Sequence, residues 1–183
     1  MKVGFKLKIY LIRHGEPDYT DVTNQHYVGY GRDLGGLTPA GVKMAQQCAQ
    51  KPELQQVQLI LTSPFTRAMA TTIEIARQVA VPVTVELDLH EWQPDRTGTL
   101  IENNRQVARA YTQYKRTPHS RPADFPYPYE TADEVQARVN AVFARYAAHY
   151  DCIACITHGE VMTQLTGQRS FDYCEIKAID YPN

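Results

Sequence analysis

LKIYLIRHGE, residues 7–16, and CIACITHGE, residues 152–160, follow one plan: an apolar run with strand character leads into a histidine, a glycine and a glutamate. Glycine at a strand end lets backbone N–H groups come close to a ligand. Each triplet therefore reads as a binding or reacting group carried at a strand's carboxyl end. Working outward, further strand-like runs lie at residues 57–61 (VQLIL), 81–87 (VPVTVEL) and 174–180 (CEIKAID).

Between these runs the spacing turns helical. Thr38-Pro39 is a start signal for a helix reaching Gln50. Ser63-Pro64 repeats the signal, with Ser63 read as the N-cap. Behind it Phe65, Ala68, Met69, Ile73, Ala76 and Val79 recur at helical spacing and predict the face that docks on the sheet. Thr131 opens TADE, a capping box, and Val135, Val139, Val142, Phe143 and Tyr146 supply an apolar stripe ending near Tyr150. Short buried strands alternating with amphipathic helices predict an α/β layer fold with a mainly parallel sheet. Residues 93–130, rich in Pro, Tyr and Arg, read as a surface excursion with a helix around Asn103–Tyr114 and an irregular second half, TPHSRPADFPYPYE.

Totals narrow the function classes. A chain of 183 residues suits a single domain spanning 1–183. An apolar fraction of 43%, a charged fraction of 21% and a net charge of -1 describe a globular protein and argue against a nucleic-acid binder. The N-terminal MKVGFKLKIYLIRHG has too short an apolar run to span a membrane and no small-residue cleavage site, so a cytoplasmic protein is expected. Cys152 and Cys155 form a CxxC, but on a strand residues three apart face opposite ways. With no second pair at metal-ligand spacing, all four cysteines read as core residues rather than disulfide or zinc partners.

In open α/β sheets ligands bind beyond the carboxyl ends of the strands. Arg13-His14-Gly15-Glu16 follows the first run, Thr62-Ser63-Pro64 with Arg67 the second, His90-Glu91 the third and Thr157-His158-Gly159-Glu160 the fourth. A lone histidine after a strand is usually a loop residue, and a lone arginine a solvated one. Their convergence on one sheet edge carries the argument. Two guanidinium forks match phosphate oxygens, and Arg67, in the first turn of its helix, stands at the positive end of the dipole. The sum is an oxyanion-binding site with a nucleophile.

This ordered set resembles the histidine phosphatase superfamily, which also contains the cofactor-dependent phosphoglycerate mutases, over nearly the whole chain. Arg13-His14-Gly15-Glu16 is similar to its signature, LTPAG at 37–41 to its first-helix motif and TSPFTRAMATT at 62–72 to its second. Leu89-His90-Glu91 is similar to its Leu-x-Glu, and Thr157-His158-Gly159 to its second-histidine motif. The resemblance implies a three-layer α/β/α sandwich of the phosphoglycerate mutase type. It makes His14 the nucleophile, Arg13, Arg67, His158 and Gly159 the phosphate pocket, and Glu91 the proton donor. Burial beside Trp92 is expected to raise the Glu91 pKa. Thr20 stands six residues after the nucleophile, where many members carry a phosphate-contacting asparagine, and could donate a hydrogen bond there.

The implied activity is phosphomonoester hydrolysis through phosphohistidine, with no cofactor and no metal, since converging cations can stabilise the transferring group. A mutase is the nearest rival, disfavoured because the chain lacks obvious length for a closing insertion. A catalytically inactive interaction module on the same fold is a second rival, set against the intact reactive residues. A zinc hydrolase ranks lower, because the histidines lack metal-ligand spacing and His26, His119 and His149 suit surface roles. A phosphorylated small molecule is the expected partner ahead of a phosphoprotein, with neither nucleic acid nor membrane involved. Arg96, Arg105, Arg109, Lys115, Arg116 and Arg121 either line the pocket mouth or form a solvated face, the latter preferred because charged residues are mostly exposed.

Overall fold

A computed structural model describes residues 6–182. Its elements are β1 (Leu7–Arg13), β2 (Pro17–Asp18), α1 (Thr20–Asn24), β3 (Gly36–Leu37), α2 (Pro39–Cys48), β4 (Leu59–Thr62), α3 (Thr66–Val79), β5 (Val83–Val85), α4 (Asn104–Arg116), α5 (Ala132–Ala147), β6 (Cys152–Thr157), α6 (Gly159–Thr166) and β7 (Ile176–Tyr181). The main sheet has the order β5-β4-β6-β1-β7. β5, β4, β6 and β1 run parallel, and β7 closes the far edge antiparallel to β1.

The alternation of side chains along the strands divides the core in two. Leu7, Ile9, Leu11, Leu59, Leu61, Ile153 and Cys155 enter a cluster with Val135, Val139, Val142 and Phe143 of α5 and Val161 and Met162 of α6. Tyr10, Ile12, Ile60, Cys152, Ala154 and Ile156 enter the other, with Ala45 and Cys48 of α2 and Ala68 and Ile75 of α3. Helices thus cover both faces, giving the three-layer α/β/α sandwich. Each fully buried Leu or Ile contributes roughly 1.5–3 kcal/mol, so the two faces of the sheet carry much of the apolar burial. Cys152 and Cys155 fall in opposite layers, and all four cysteines are free and buried.

Local signals act as expected at α2, where the Thr38 hydroxyl accepts from the Gly41 N–H at 2.9 Å with proline in the first turn. At α5, Thr131 and Glu134 form the reciprocal capping box. Asn103 and Gln106 form another at the start of α4.

Several expectations are corrected. The strand foreseen at 81–87 shortens to Val83–Val85, an edge strand with Val83 and Val85 exposed, because only β4 pairs with it. α3 begins at Thr66 with Phe65 as N-cap, so Ser63 is not the cap. Met69 and Ile73 face solvent; the docking face of α3 is Ala68, Thr71, Thr72 and Ile75, whose smaller side chains let the helix lie close to the sheet and to the loop after β1. Residues 93–130 are more than a surface excursion: Ile101, Ala110, Tyr114, Tyr127 and Tyr129 are buried in the α5 layer. The stretch 117–130 holds neither helix nor strand, as expected.

Candidate active site

Parallel pairing of β1 with β6 sets Arg13 beside Thr157, so His14 and His158 leave the sheet side by side. Backbone bonds continue past the last pair. The His14 N–H donates to Thr157 O and the Ser63 N–H to Ile156 O, both at 3.0 Å. The two imidazole centroids are 5.1 Å apart in an edge-to-face arrangement, and both rings are buried.

The environment of His14 selects one tautomer. Its Nδ1 lies 2.7 Å from the Gly15 carbonyl, which can only accept, so Nδ1 carries the proton. Nε2 then presents a lone pair, and it accepts from Arg67 Nε at 3.2 Å. Burial, with the charges of Arg67 and Arg13, lowers the His14 pKa from 6.5 to about 3. The ring is therefore neutral in ordinary buffers, as a nitrogen nucleophile must be. Gly15 serves packing rather than ligand approach. A Cβ on it would lie 2.7 Å from the Gly41 carbonyl oxygen of α2, and its N–H is taken by the Thr71 hydroxyl at 2.9 Å.

His158 is fully buried, and its pKa is lowered by burial and then by Arg67. Its Nε2 lies 2.7 Å from Ser63 Oγ, which itself accepts from the Phe65 N–H at 3.3 Å. The Ser63 hydroxyl hydrogen is thus free to point at Nε2, leaving Nδ1 protonated. Among the buried side-chain nitrogens and oxygens of the described residues, two have no partner: His158 Nδ1 and Arg13 Nε. Both belong to this cluster, and Arg13 is a permanent donor. A buried donor left unpaired costs about 1–3 kcal/mol, so two of them beside a neutral imidazole mark a place built to receive an acceptor.

The arginines are held from behind. The Arg13 guanidinium donates to Phe171 O and lies 4.3 Å over the Tyr173 ring. Arg67, the second residue of α3, is buried, and its Nη1 donates to Asp33 Oδ1 at 2.8 Å. Burial raises the Asp33 pKa, while Arg67 opposes that rise. Asp33 sits in the short turn Gly29–Leu34, inside a glycine-rich stretch without periodicity.

Glu91 follows the turn after β5. Its Oε1 accepts from the Trp92 N–H at 2.8 Å and its Oε2 from the Glu160 N–H at 3.3 Å. Burial nevertheless dominates and raises its pKa. Glu91, Arg13, Phe65 and Gly159 share the wall of one cavity of about 660 Å³. The roof comes from α4, anchored where Tyr111, Tyr114 and Lys115 all donate to the Glu160 carboxylate. Behind Glu91, Arg138 pairs with Glu130 at 2.5 Å and also donates to Asp88 O and Glu91 O.

The structure thus gathers Arg13, His14, Arg67 and His158, with Glu91 and Gly159 at the adjoining wall. Thr20 is exposed at the start of α1, its N–H donates to Asp18 Oδ1 at 2.8 Å, and no hydrogen bond joins it to the cluster. Asp33, Ser63 as a partner of His158, and Tyr173 were not foreseen. Ser63 alone had a signal, its place at a strand end next to Arg67's helix.

The family model described as the histidine phosphatase superfamily (branch 1) matches residues 9–172. A protein of Hydrogenobacter thermophilus provisionally assigned as phosphoserine phosphatase 2 is 24% identical over 159 residues, covering 83% of this chain and 73% of its own. One of Proteus mirabilis provisionally assigned as the phosphoglycerate mutase GpmB is 25% identical, covering 97% and 86%. The solved structure of a mycobacterial glucosyl-3-phosphoglycerate phosphatase with VO3 superposes with a TM-score of 0.71 at 17% identity, covering 94% of this chain and 90% of that one.

Proposed function

The chain belongs to the histidine phosphatase superfamily, branch 1, and from that premise we propose that it hydrolyses phosphoric monoesters through a phosphohistidine on His14 Nε2. The observation that carries this reading is the pair of unpartnered buried donors, Arg13 Nε and His158 Nδ1, beside a neutral imidazole whose lone pair meets Arg67. In the first step Nε2 attacks phosphorus, the ester P–O bond breaks, and Glu91 gives its proton to the departing alkoxide. In the second, water attacks phosphorus, Glu91 takes back a proton, and the N–P bond breaks. Arg13, Arg67 and His158 stabilise the charge on the equatorial oxygens, and neither step calls for a metal.

A raised Glu91 pKa suits this double duty, since the carboxyl must be protonated in one step and ionised in the next. The substrate is a phosphorylated small molecule, for which the cavity beside the cluster, sized for such a ligand, is the support. Among the described residues no helix is long and apolar enough to cross a membrane. The four free cysteines fit a reducing compartment, so we assign the reaction to the cytoplasm.

The test is rapid quenching with a radiolabelled phosphomonoester. Acid-labile label should appear on the protein and vanish in His14→Ala at unchanged fold. Label that persists in His14→Ala would falsify the assignment. Adding a bisphosphoglycerate primer with 3-phosphoglycerate separates hydrolysis from mutase turnover: a hydrolase releases inorganic phosphate and forms no 2-phosphoglycerate.

A further inference from the structure

Helix α4 turns one side to the cavity. Asn104, Val107, Ala108 and Tyr111, spaced i, i+3, i+4 and i+7, all line it. The cations of residues 93–130 point elsewhere: none of Arg96, Arg105, Arg109, Lys115, Arg116 and Arg121 is in the wall. Arg96 and Arg121 pair with Glu134, Lys115 with Glu160, and Arg109 lies 5.5 Å from the Phe125 ring centroid. Phe65, Trp92, Ile101 and Phe171 also line the cavity.

Charge in the wall points the same way. Besides Arg13, which the phosphate engages, its cations are Arg32, 5.0 Å from the Tyr19 ring centroid, and Arg169, which is exposed. Carboxylates of Asp33, Glu91, Asp95 and Glu160 line it as well. Asp33 is paired with Arg67 and Glu160 with Lys115, and the wall holds no unengaged buried cation for a second negative charge on the leaving group. Size adds a further constraint. About 660 Å³ lies within the range that encloses a drug-sized ligand, and serine or glycerate would leave most of it unfilled.

Resting on the hydrolase reading, we propose that the preferred substrates are monoesters of uncharged alcohols with an aromatic or bulky apolar body, and that the Val107-Ala108-Tyr111 stripe of α4 selects them. The body of the alcohol lies against this stripe and the Phe65 and Phe171 rings, while its phosphoryl group reaches His14. Burying such a body removes apolar area from water, and the gain appears in kcat/KM because contact persists into the transition state.

The experiment compares 2-phenylethyl phosphate, ethyl phosphate, O-phosphoserine and 3-phosphoglycerate, all with alkoxide leaving groups. The first should exceed each of the others by about tenfold or more in kcat/KM. Ala108→Arg, an exposed helical position, should shrink the ratio of 2-phenylethyl to ethyl phosphate severalfold; Ala108→Leu, which keeps the stripe apolar, should retain a ratio above that of Ala108→Arg. If label forms on His14 but O-phosphoserine or 3-phosphoglycerate is the better substrate, the substrate class is wrong and the hydrolase reading stands. If the ratio is the same in both variants as in the parent, α4 is not the selector. Absence of label and turnover with all four esters would bring down both readings together.

Discussion

The edge of the sheet and the insertion above it are ordered by different means. At the sheet edge the backbone does the positioning. Strand register places Arg13 opposite Thr157 and Ile156 beside Thr62, and main-chain bonds carry that order into His14 and Ser63. In residues 93–130 two main-chain bonds, from the Glu130 N–H to Gln93 O and the Arg96 N–H to Pro128 O, join the ends, and side chains hold the rest. Asp95 gathers the N–H groups of Thr97 and Leu100, Glu134 binds Arg96 and Arg121, Glu160 ties down α4, and Trp92 sits 4.8 Å from Tyr114, centroid to centroid. The sheet edge is thus fixed by hydrogen-bonded strands, whereas the shape of the cavity depends on side-chain packing and polar side-chain contacts. Changes at the first region should alter rate with little effect on selectivity, and changes at the second should alter stability and selectivity together.

The largest effect is expected at the sheet edge. Arg67→Ala removes the donor to His14 Nε2 and, on the proposed mechanism, to the transferring oxygens, and steady-state kinetics should show kcat/KM down by about 10²–10³. Asp33→Asn alongside it would then matter little, since its partner is gone. Next comes Arg138→Met, which strips the counter-charge from buried Glu130. Urea titration should show a loss of about 3 kcal/mol. Glu160→Gln keeps the shape but weakens the bonds from four side chains, Tyr111, Tyr114, Lys115 and Gln164, to one carboxylate. About 1–2 kcal/mol should be lost, together with part of the preference for bulky esters. The smallest is Thr131→Ala, which ends the α5 capping box at a cost of about 1 kcal/mol and should leave kinetics unchanged.

The dependence on pH sharpens the contrast, because the groups at the sheet edge carry opposite signs. His14 has a folded pKa near 3 against 6.5 in the unfolded chain, so its contribution to stability is full above 6.5 and is lost as pH falls toward 3. Glu91 has a raised folded pKa, so its contribution is present at acid pH and is lost as pH rises through that value. Glu91→Gln should therefore raise the Tm at neutral pH while removing the basic limb of the rate profile. His14→Gln should flatten the acid limb of the Tm curve. An unaltered Tm profile in both variants would mean that neither group is buried as described.

The same division explains what could be read from the chain. The two His-Gly-Glu triplets, the Thr38 and Thr131 caps and the parallel order are local or periodic signals, and they led to the sheet and to four of the five site side chains at its edge. Glu91 was reached through its motif, with the direction of its pKa shift anticipated from burial. What escaped rests on contacts far apart in sequence. Asp33 meets Arg67, Tyr173 lies beneath Arg13, and Arg138 anchors the segment carrying Glu91, and none of these pairings has a spacing rule. Ser63 shows the opposite error. A strong capping preference assigned it a local role, while tertiary packing gave it to His158.

The contact between the loop after β1 and α2 has a consequence for variation. A methyl group on Gly15 would meet the Gly41 carbonyl oxygen at 2.7 Å, and one on Gly41 would meet the Glu16 carbonyl oxygen at 2.3 Å. Each obstacle is main chain, which no neighbouring side-chain replacement can move aside. Alanine at either position therefore admits no second-site suppressor confined to side chains, and random libraries should return glycine at both places however strongly the rest of the pocket is diversified.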